Sequence, residues 1–230
     1  MPGWLRRGRT YADEPEKPFF RGRLHQFGFF FFAAMGAYTI IKCDDHLKKM
    51  AFFVYLMSTL CLYATSATMH TTKWHSEKLE LWIQKLDHTA IIIQIAGTYT
   101  PICLSNMPRN ATWPLVILGS VWNMSVLGVF KALYWDNPPK IINVSYYFLV
   151  GLSIIPYLPK VMSAIPMYEY LCLGVGGVLY LYGGLTYGLE WPDPSPKIFG
   201  FHEIFHLCTL SANACFFAPI AHVTINQTGR

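Results

Sequence analysis

His202-Glu203-Ile204-Phe205-His206 opens the last apolar segment of the chain. Two imidazoles four residues apart share one face of a helix, close enough to hold a single metal ion. An ionisable group at membrane depth is costly unless it has a partner or a task, so a His pair there asks for further ligands. His70 and Asp87 meet that need, because each ends an apolar segment that alternating membrane crossings bring to the same face as His202 and His206. Three imidazoles and a carboxylate suit zinc, which favours nitrogen and oxygen in tetrahedral geometry. With all four bound directly the site is closed and structural. With Asp87 acting through a water it has three protein ligands and an activatable water, the catalytic arrangement. Spacing alone leaves both open.

Ser66 stands one turn before His70 and can face the same pocket, although a helix-packing serine accounts for it equally well. His202-Glu203-x-x-His206 also satisfies H-E-x-x-H, in which two His bind zinc and the Glu is the general base, so Glu203 joins Asp87 and Ser66 as a candidate catalytic group. An intramembrane protease on that pattern would need a third ligand from an Asp-Gly motif in an apolar segment, and the chain offers none. Glu203 is equally readable as a solvated interfacial residue. The other histidines, His25, His46, His75, His88 and His222, are read as headgroup contacts or satisfied polar residues.

The elements that must carry these groups belong to a membrane protein. Of the 230 residues 53% are hydrophobic and only 13% charged, where a soluble domain has roughly 25% charged. Sixteen Phe, fourteen Tyr and seven Trp add apolar and interfacial surface. The net charge is +5, but the basic residues do not alternate with aromatics in a soluble patch, so no nucleic-acid partner is expected. Arg6, Arg7, Arg9, Lys17, Arg21 and Arg23 read instead as a topology signal. No signal peptide is expected, since apolar sequence begins after residue 26 without a small-residue cleavage pattern. The six cysteines form no C-x-x-C pair, so a cysteine zinc site is not expected. Cys43, Cys103 and Cys172 all fall near the outer face, where one disulfide is possible, but buried small apolar residues are the preferred reading.

A run of about 20 apolar residues crosses the hydrocarbon core. Such runs predict spans at 27–41, 50–69, 88–107, 113–134, 142–163, 167–189 and 203–223. The fold class expected is all-α, a seven-transmembrane helix bundle in one domain (27–223) between a short basic cytoplasmic tail (1–26) and a C-terminal tail (224–230). Twelve Lys and Arg (6, 7, 9, 17, 21, 23, 73, 78, 85, 131, 140, 197) fall on the N-terminal side and six (42, 48, 49, 109, 160, 230) on the other. The positive-inside rule then places the N-terminus in the cytoplasm, the C-terminus outside, and the His cluster near the inner leaflet. Two sequons, Asn110-Ala111-Thr112 and Asn226-Gln227-Thr228, fall on the outer side. No internal repeat is visible.

Arg21-Gly22-Arg23-Leu24-His25, Ser66-x-x-x-His70, Leu86-Asp87-His88, Ala96-Gly97-Thr98-Tyr99-Thr100-Pro101, Pro192-Asp193-Pro194 and Phe199-Gly200-Phe201-His202-Glu203-Ile204-Phe205-His206 occur in this order from about residue 18 to 222. Together they resemble the hemolysin III proteins of the progestin and adipoQ receptor family, in the compact hemolysin III branch. The resemblance implies a seven-helix fold with a cytoplasmic N-terminus and a zinc ion held by His70, His202 and His206. It also implies Asp87 as ligand or holder of a zinc-bound water, with Ser66 beside it. As to activity, it implies a zinc-dependent lipid amide hydrolase acting on a ceramide-like substrate at the inner leaflet. The alternative is a seven-transmembrane signalling receptor with a structural zinc and a lipid ligand, and the name suggests membrane lysis as a third reading. Lysis ranks last, because apolar spans without an amphipathic stripe do not line a water-filled pore. The plasma membrane is the expected location of this multi-pass protein, and its oligomeric state is not legible.

Overall fold

Within a bilayer core each backbone polar group has to be satisfied inside its own segment, which makes long apolar runs helical. The computed structural model describes residues 18–136 and 138–226. Apart from one isolated bridge between Ser195 and Phe199, regular structure among them is helical. In chain order the helices are α1 (Arg23–Lys42), α2 (His46–Thr71), α3 (Glu77–Pro101), α4 (Trp113–Tyr134), α5 (Lys140–Gly151), α6 (Leu158–Ala164), α7 (Met167–Leu189) and α8 (Phe201–Ile225). A π-helical turn, Ile102–Asn106, follows Pro101, and a 3-10 turn, Leu152–Tyr157, joins α5 to α6. Arg6, Arg7, Arg9, Lys17, Arg230 and the Gln227-Thr228 half of the second sequon lie outside the described residues.

Local sequence sets these boundaries. Asp45 caps α2, its side chain accepting the Lys48 N–H at 3.0 Å. Pro139 and Pro166 stand immediately before α5 and α7. The predicted span 142–163 is a broken helix: Gly151 and Pro156 interrupt it, and the Gly151 carbonyl at the break accepts the Tyr99 hydroxyl at 2.6 Å. The predicted span 88–107 is the later part of a helix that begins at Glu77 and carries Glu77, Lys78, Glu80, Lys85 and Asp87 in its first half. By length and composition, six helical stretches among the described residues can cross a membrane: α1, α2, α4, the broken α5–α6 unit, α7 and α8. The charged α3 is not one of them by that measure.

The bundle closes as a ring in which α2 packs on α1 and α3, α3 on α4, α5 on α7, α7 on α8, and α8 back on α1 and α2. Its centre is α2 and α8, half buried along their apolar windows (56% and 50%), while the other four crossing-competent segments turn mostly outward. The outward faces are apolar: Phe27, Phe30 and Phe31 on α1, Leu127 and Phe130 on α4, and Val175 and Val178 on α7 are all exposed. The interior sets polar groups beside its apolar core. Tyr55 donates to Asn213 Oδ1 at 2.7 Å, and Gln94 Nε2 donates to Thr59 Oγ1 at 3.1 Å and to Asn213 Oδ1 at 3.3 Å. Lys48 closes the far end, its ammonium donating to the Val223 and Asn226 carbonyls at the C-terminus of α8. A protein that exposes its large apolar side chains and hides its amides is inside-out for water and suited to lipid. It is a multi-pass integral membrane protein. All six cysteines are free, and Cys43, Cys103 and Cys208 are buried.

Candidate metal centre

Three helix segments bring the candidate ligands to one end of the bundle. The first turn of α8 is held from both sides. Gly200 N–H donates to Glu203 Oε2 at 2.8 Å, and Phe201 N–H donates to Asp193 Oδ1 at 3.0 Å. Gly200 allows that approach, because a Cβ there would stand 2.4 Å from Asp193 Oδ1. His202 and His206 then follow one turn apart. On α2, His70 is the penultimate residue, and the helix end is tied by Thr71 Oγ1 donating to Ala67 O and by the Trp74 indole donating to Met69 O. Because α3 starts at Glu77, Asp87 lies about three turns inside it rather than at its beginning.

The side chains converge. One candidate donor atom from each of His70, His202 and His206 lies within 4.8 Å of the other two, and all three residues are buried. The rings meet edge to face: His70 and His202 centroids are 4.6 Å apart at 81°, and His202 and His206 are 4.7 Å apart at 84°. Nitrogens bound tetrahedrally to zinc at about 2.0–2.1 Å stand roughly 3.4 Å from one another, so small imidazole rotations would complete such a site. His70 Nε2 is 3.9 Å from Asp87 Oδ2. Ser66 is buried one helical turn before His70 on α2. Asp87 Oδ1 and His206 Nδ1 are buried with no hydrogen-bond partner among the protein atoms. A small cavity of about 20 Å³ adjoins the cluster, lined among others by His70, Asp87, His88, Tyr187 and His202. One water needs roughly 10–15 Å³ measured this way, so the cavity holds one. Donor types, spacing and unmet polar atoms all fit a zinc ion.

Glu203 stands apart from this group. It is 0% exposed, so it is not the solvated interfacial residue that was one reading of it. Its Oε1 is ion-paired with Arg21 Nε and its Oε2 holds Gly200 N–H. The carboxylate that lines the cavity is Asp87's. His46, His75 and His222 are exposed, and His88 is half-buried beside the cavity. His25 differs from the expected headgroup contact: it is 2% exposed and stacks on His206 with ring centroids 3.9 Å apart at 17°. Sequence reasoning therefore missed three neighbours of the cluster, Arg21, His25 and Tyr187, whose ring meets His202 edge-on at 5.2 Å. The Arg21-Gly22-Arg23-Leu24-His25 string was the signal for two of them.

The profile of the haemolysin-III related proteins matches residues 14–217, nearly the whole chain. The chain belongs to the haemolysin-III family. Hemolysin-3 of Bacillus cereus is 29% identical over 168 residues, 73% of this chain and 72% of the relative. The human monocyte to macrophage differentiation factor is 23% identical over 184 residues, covering 77% and 71%. An adiponectin receptor protein of Drosophila melanogaster is 24% identical over 206 residues, which take in 82% of this chain but 46% of that longer protein.

Proposed function

We propose that this haemolysin-III protein crosses the membrane seven times, holds zinc near the inner leaflet with His70, His202 and His206, and hydrolyses an amide bond of a ceramide-like lipid. The seventh crossing in this reading is α3. Its 25 residues rise about 37 Å, enough to span the hydrocarbon core. Of its charges, Glu80 and Asp87 are buried and Lys85 pairs with Asp136 beyond the end of α4, while Glu77 and Lys78 are exposed in the first turn, at the helix end. Arg21, Arg23, Lys73, Lys78, Lys85, Lys131 and Lys140 cluster towards the end that carries the histidines, which supports a cytoplasmic N-terminus and an outer C-terminus.

The observation that carries the reading is the convergence of three buried imidazoles with Asp87 beside a water-sized cavity. A zinc ion held there would act as a Lewis acid and lower the pKa of its bound water towards about 7. The protein side of the chemistry falls to Asp87, whose unpartnered Oδ1 is the acceptor that would orient a water in the cavity and take its proton. Ser66, buried one turn before His70, would offer a hydroxyl to a developing oxyanion. Tyr187 and Met69 wall the cavity and limit its water. The test is bound zinc and ceramide hydrolysis measured together on the detergent-purified chain, wild type against Asp87→Asn. One zinc per chain and turnover that falls by a factor of about 100 or more in the variant are expected, the scale for a general base. Absence of zinc from the wild type would sink the reading.

A second reading is a signalling receptor in which zinc staples α2 and α8. The relative named adiponectin receptor protein favours it, as does a cavity that fits a water rather than an acyl chain. Zinc without turnover, together with an Asp87→Asn variant that loses thermal stability, would decide for that alternative.

A further inference from the structure

The stretch Arg21 to His25 packs against His206, the His70 end of α2 and the Glu203 carboxylate beside His202, yet contributes no donor atom to the histidine cluster. His25 is buried and both its ring nitrogens lack a hydrogen-bond partner among the protein atoms, so the ring is held by its faces. One neighbour is His206, nearly parallel at 3.9 Å, and another is Tyr63 at 5.0 Å. The three donor atoms that lie together come from His70, His202 and His206, and His25 is not among them. Gly22, at φ 80°, lays the backbone against the end of α2: a Cβ there would stand 2.9 Å from His70 Cβ and 2.8 Å from Thr71 Cγ2. Arg21, itself only 8% exposed, pairs with Glu203, whose second oxygen fixes the first turn of α8 through Gly200 N–H. Three residues within a stretch of five, Arg21, Gly22 and His25, thus grip the two helices that supply all three imidazoles.

We propose that residues 21–25 are a clasp that pre-sets the metal centre, with His25 fixing the ring plane of His206 and Arg21 fixing, through Glu203, the register that presents His202. The proposal rests on reading the cluster as a metal site. Both residues are positioning residues. An imidazole free to rotate about its χ angles loses rotamer entropy when it binds a metal, and a flat partner against its face removes most of that freedom beforehand. Groups that orient a metal-binding side chain by hydrogen bonds are worth about 10–100-fold in metal affinity, and the same scale is expected of the stack. The pairing is also one that stacking alone can perform, so the ring matters and its nitrogens do not.

The experiment is zinc affinity by competition with a chromophoric chelator on the detergent-purified full chain, with visible absorption of the cobalt(II)-loaded protein as a report on ligand geometry. His25→Ala should weaken zinc binding by about 10–100-fold and broaden the cobalt bands, while the stoichiometry stays at one. His25→Phe, which keeps a flat ring without nitrogen, should restore affinity to within about threefold of wild type. Arg21→Lys should lie closer to wild type than Arg21→Met. Wild-type affinity in His25→Ala would overturn the clasp. So would a His25→Phe variant as weak as His25→Ala, since the nitrogen would then be acting as a ligand. A wild-type chain without zinc, or a His202→Ala/His206→Ala chain that keeps a full equivalent, would remove the metal centre itself. That failure is distinct from failure of the clasp.

Discussion

Replacing Arg21 by Met should be more damaging than replacing its partner Glu203 by Gln. The reason lies in how each group is held. Glu203 is 0% exposed and pinned by Gly200 N–H on one oxygen, so without Arg21 its charge stays buried and unpaired. Arg21 is 8% exposed on a segment that precedes α1, and a long guanidinium stem can reach water when its partner is neutralised. Breaking a buried pair from the side that strands the charge costs about 3–5 kcal/mol. Stranding a snorkelling arginine costs about 1–2 kcal/mol, the lower part of the range for a polar group left without its partner. At roughly 2–4 °C per kcal/mol for a chain of this size, Arg21→Met should lower the midpoint by about 6–20 °C and Glu203→Gln by about 2–8 °C. The double variant Arg21→Met/Glu203→Gln should be more stable than Arg21→Met alone, because no charge is left behind. Thermal unfolding in detergent, followed by aggregation or by thiol accessibility of the buried cysteines, reads all four chains. A double variant less stable than Arg21→Met, or a midpoint in Arg21→Met within 2 °C of wild type, would refute the argument.

Three further outcomes are expected. Gly97→Ala should destabilise the α2–α3 contact by about 1–3 kcal/mol, since its Cβ would fall 2.0 Å from Ser58 Oγ and 2.7 Å from Ser58 Cβ. Ser58→Gly in the same chain should recover most of that loss, and no recovery in a thermal melt would assign the contact elsewhere. Asn213→Leu should cost about 1–3 kcal/mol, because the Tyr55 hydroxyl and the Gln94 amide lose a buried acceptor; adding Tyr55→Phe and Gln94→Leu should recover stability, which the same melt measures. Asn110→Cys should react with a membrane-impermeant maleimide from outside intact cells, and labelling only after lysis would reverse the proposed orientation.

Much of the candidate site was legible because its strongest signal is local. His202 and His206 are four residues apart, and helical geometry alone places them on one face. His70, Asp87 and Ser66 followed once alternating crossings and the family resemblance were considered. His25 could not be found this way. It is a single histidine at the head of an apolar run, with no i, i+4 partner, and the ring it stacks on belongs to the other end of the chain. Glu203 resisted for a related reason: whether a carboxylate beside two histidines faces solvent, a reacting group or an arginine depends on what packs over it. The boundaries of α3 were missed because hydropathy reports only the apolar part of a helix, and the first ten residues of α3, Glu77–Leu86, are amphipathic.

Composition and periodicity by themselves determined that this chain is all-helical and built for lipid, since segments so apolar have no other way to satisfy their backbone. The order of motifs determined the family, and short-range spacing determined which residues can share a face. Tertiary structure alone decided which faces meet. It brought His70 within 4.8 Å of a helix that begins more than a hundred residues later, placed His25 against His206, and buried Glu203 under Arg21. Those pairings depend on how α1, α2 and α8 close the ring. Such closure is governed by small residues and shape at the helix contacts, which leave no periodic trace in any one segment.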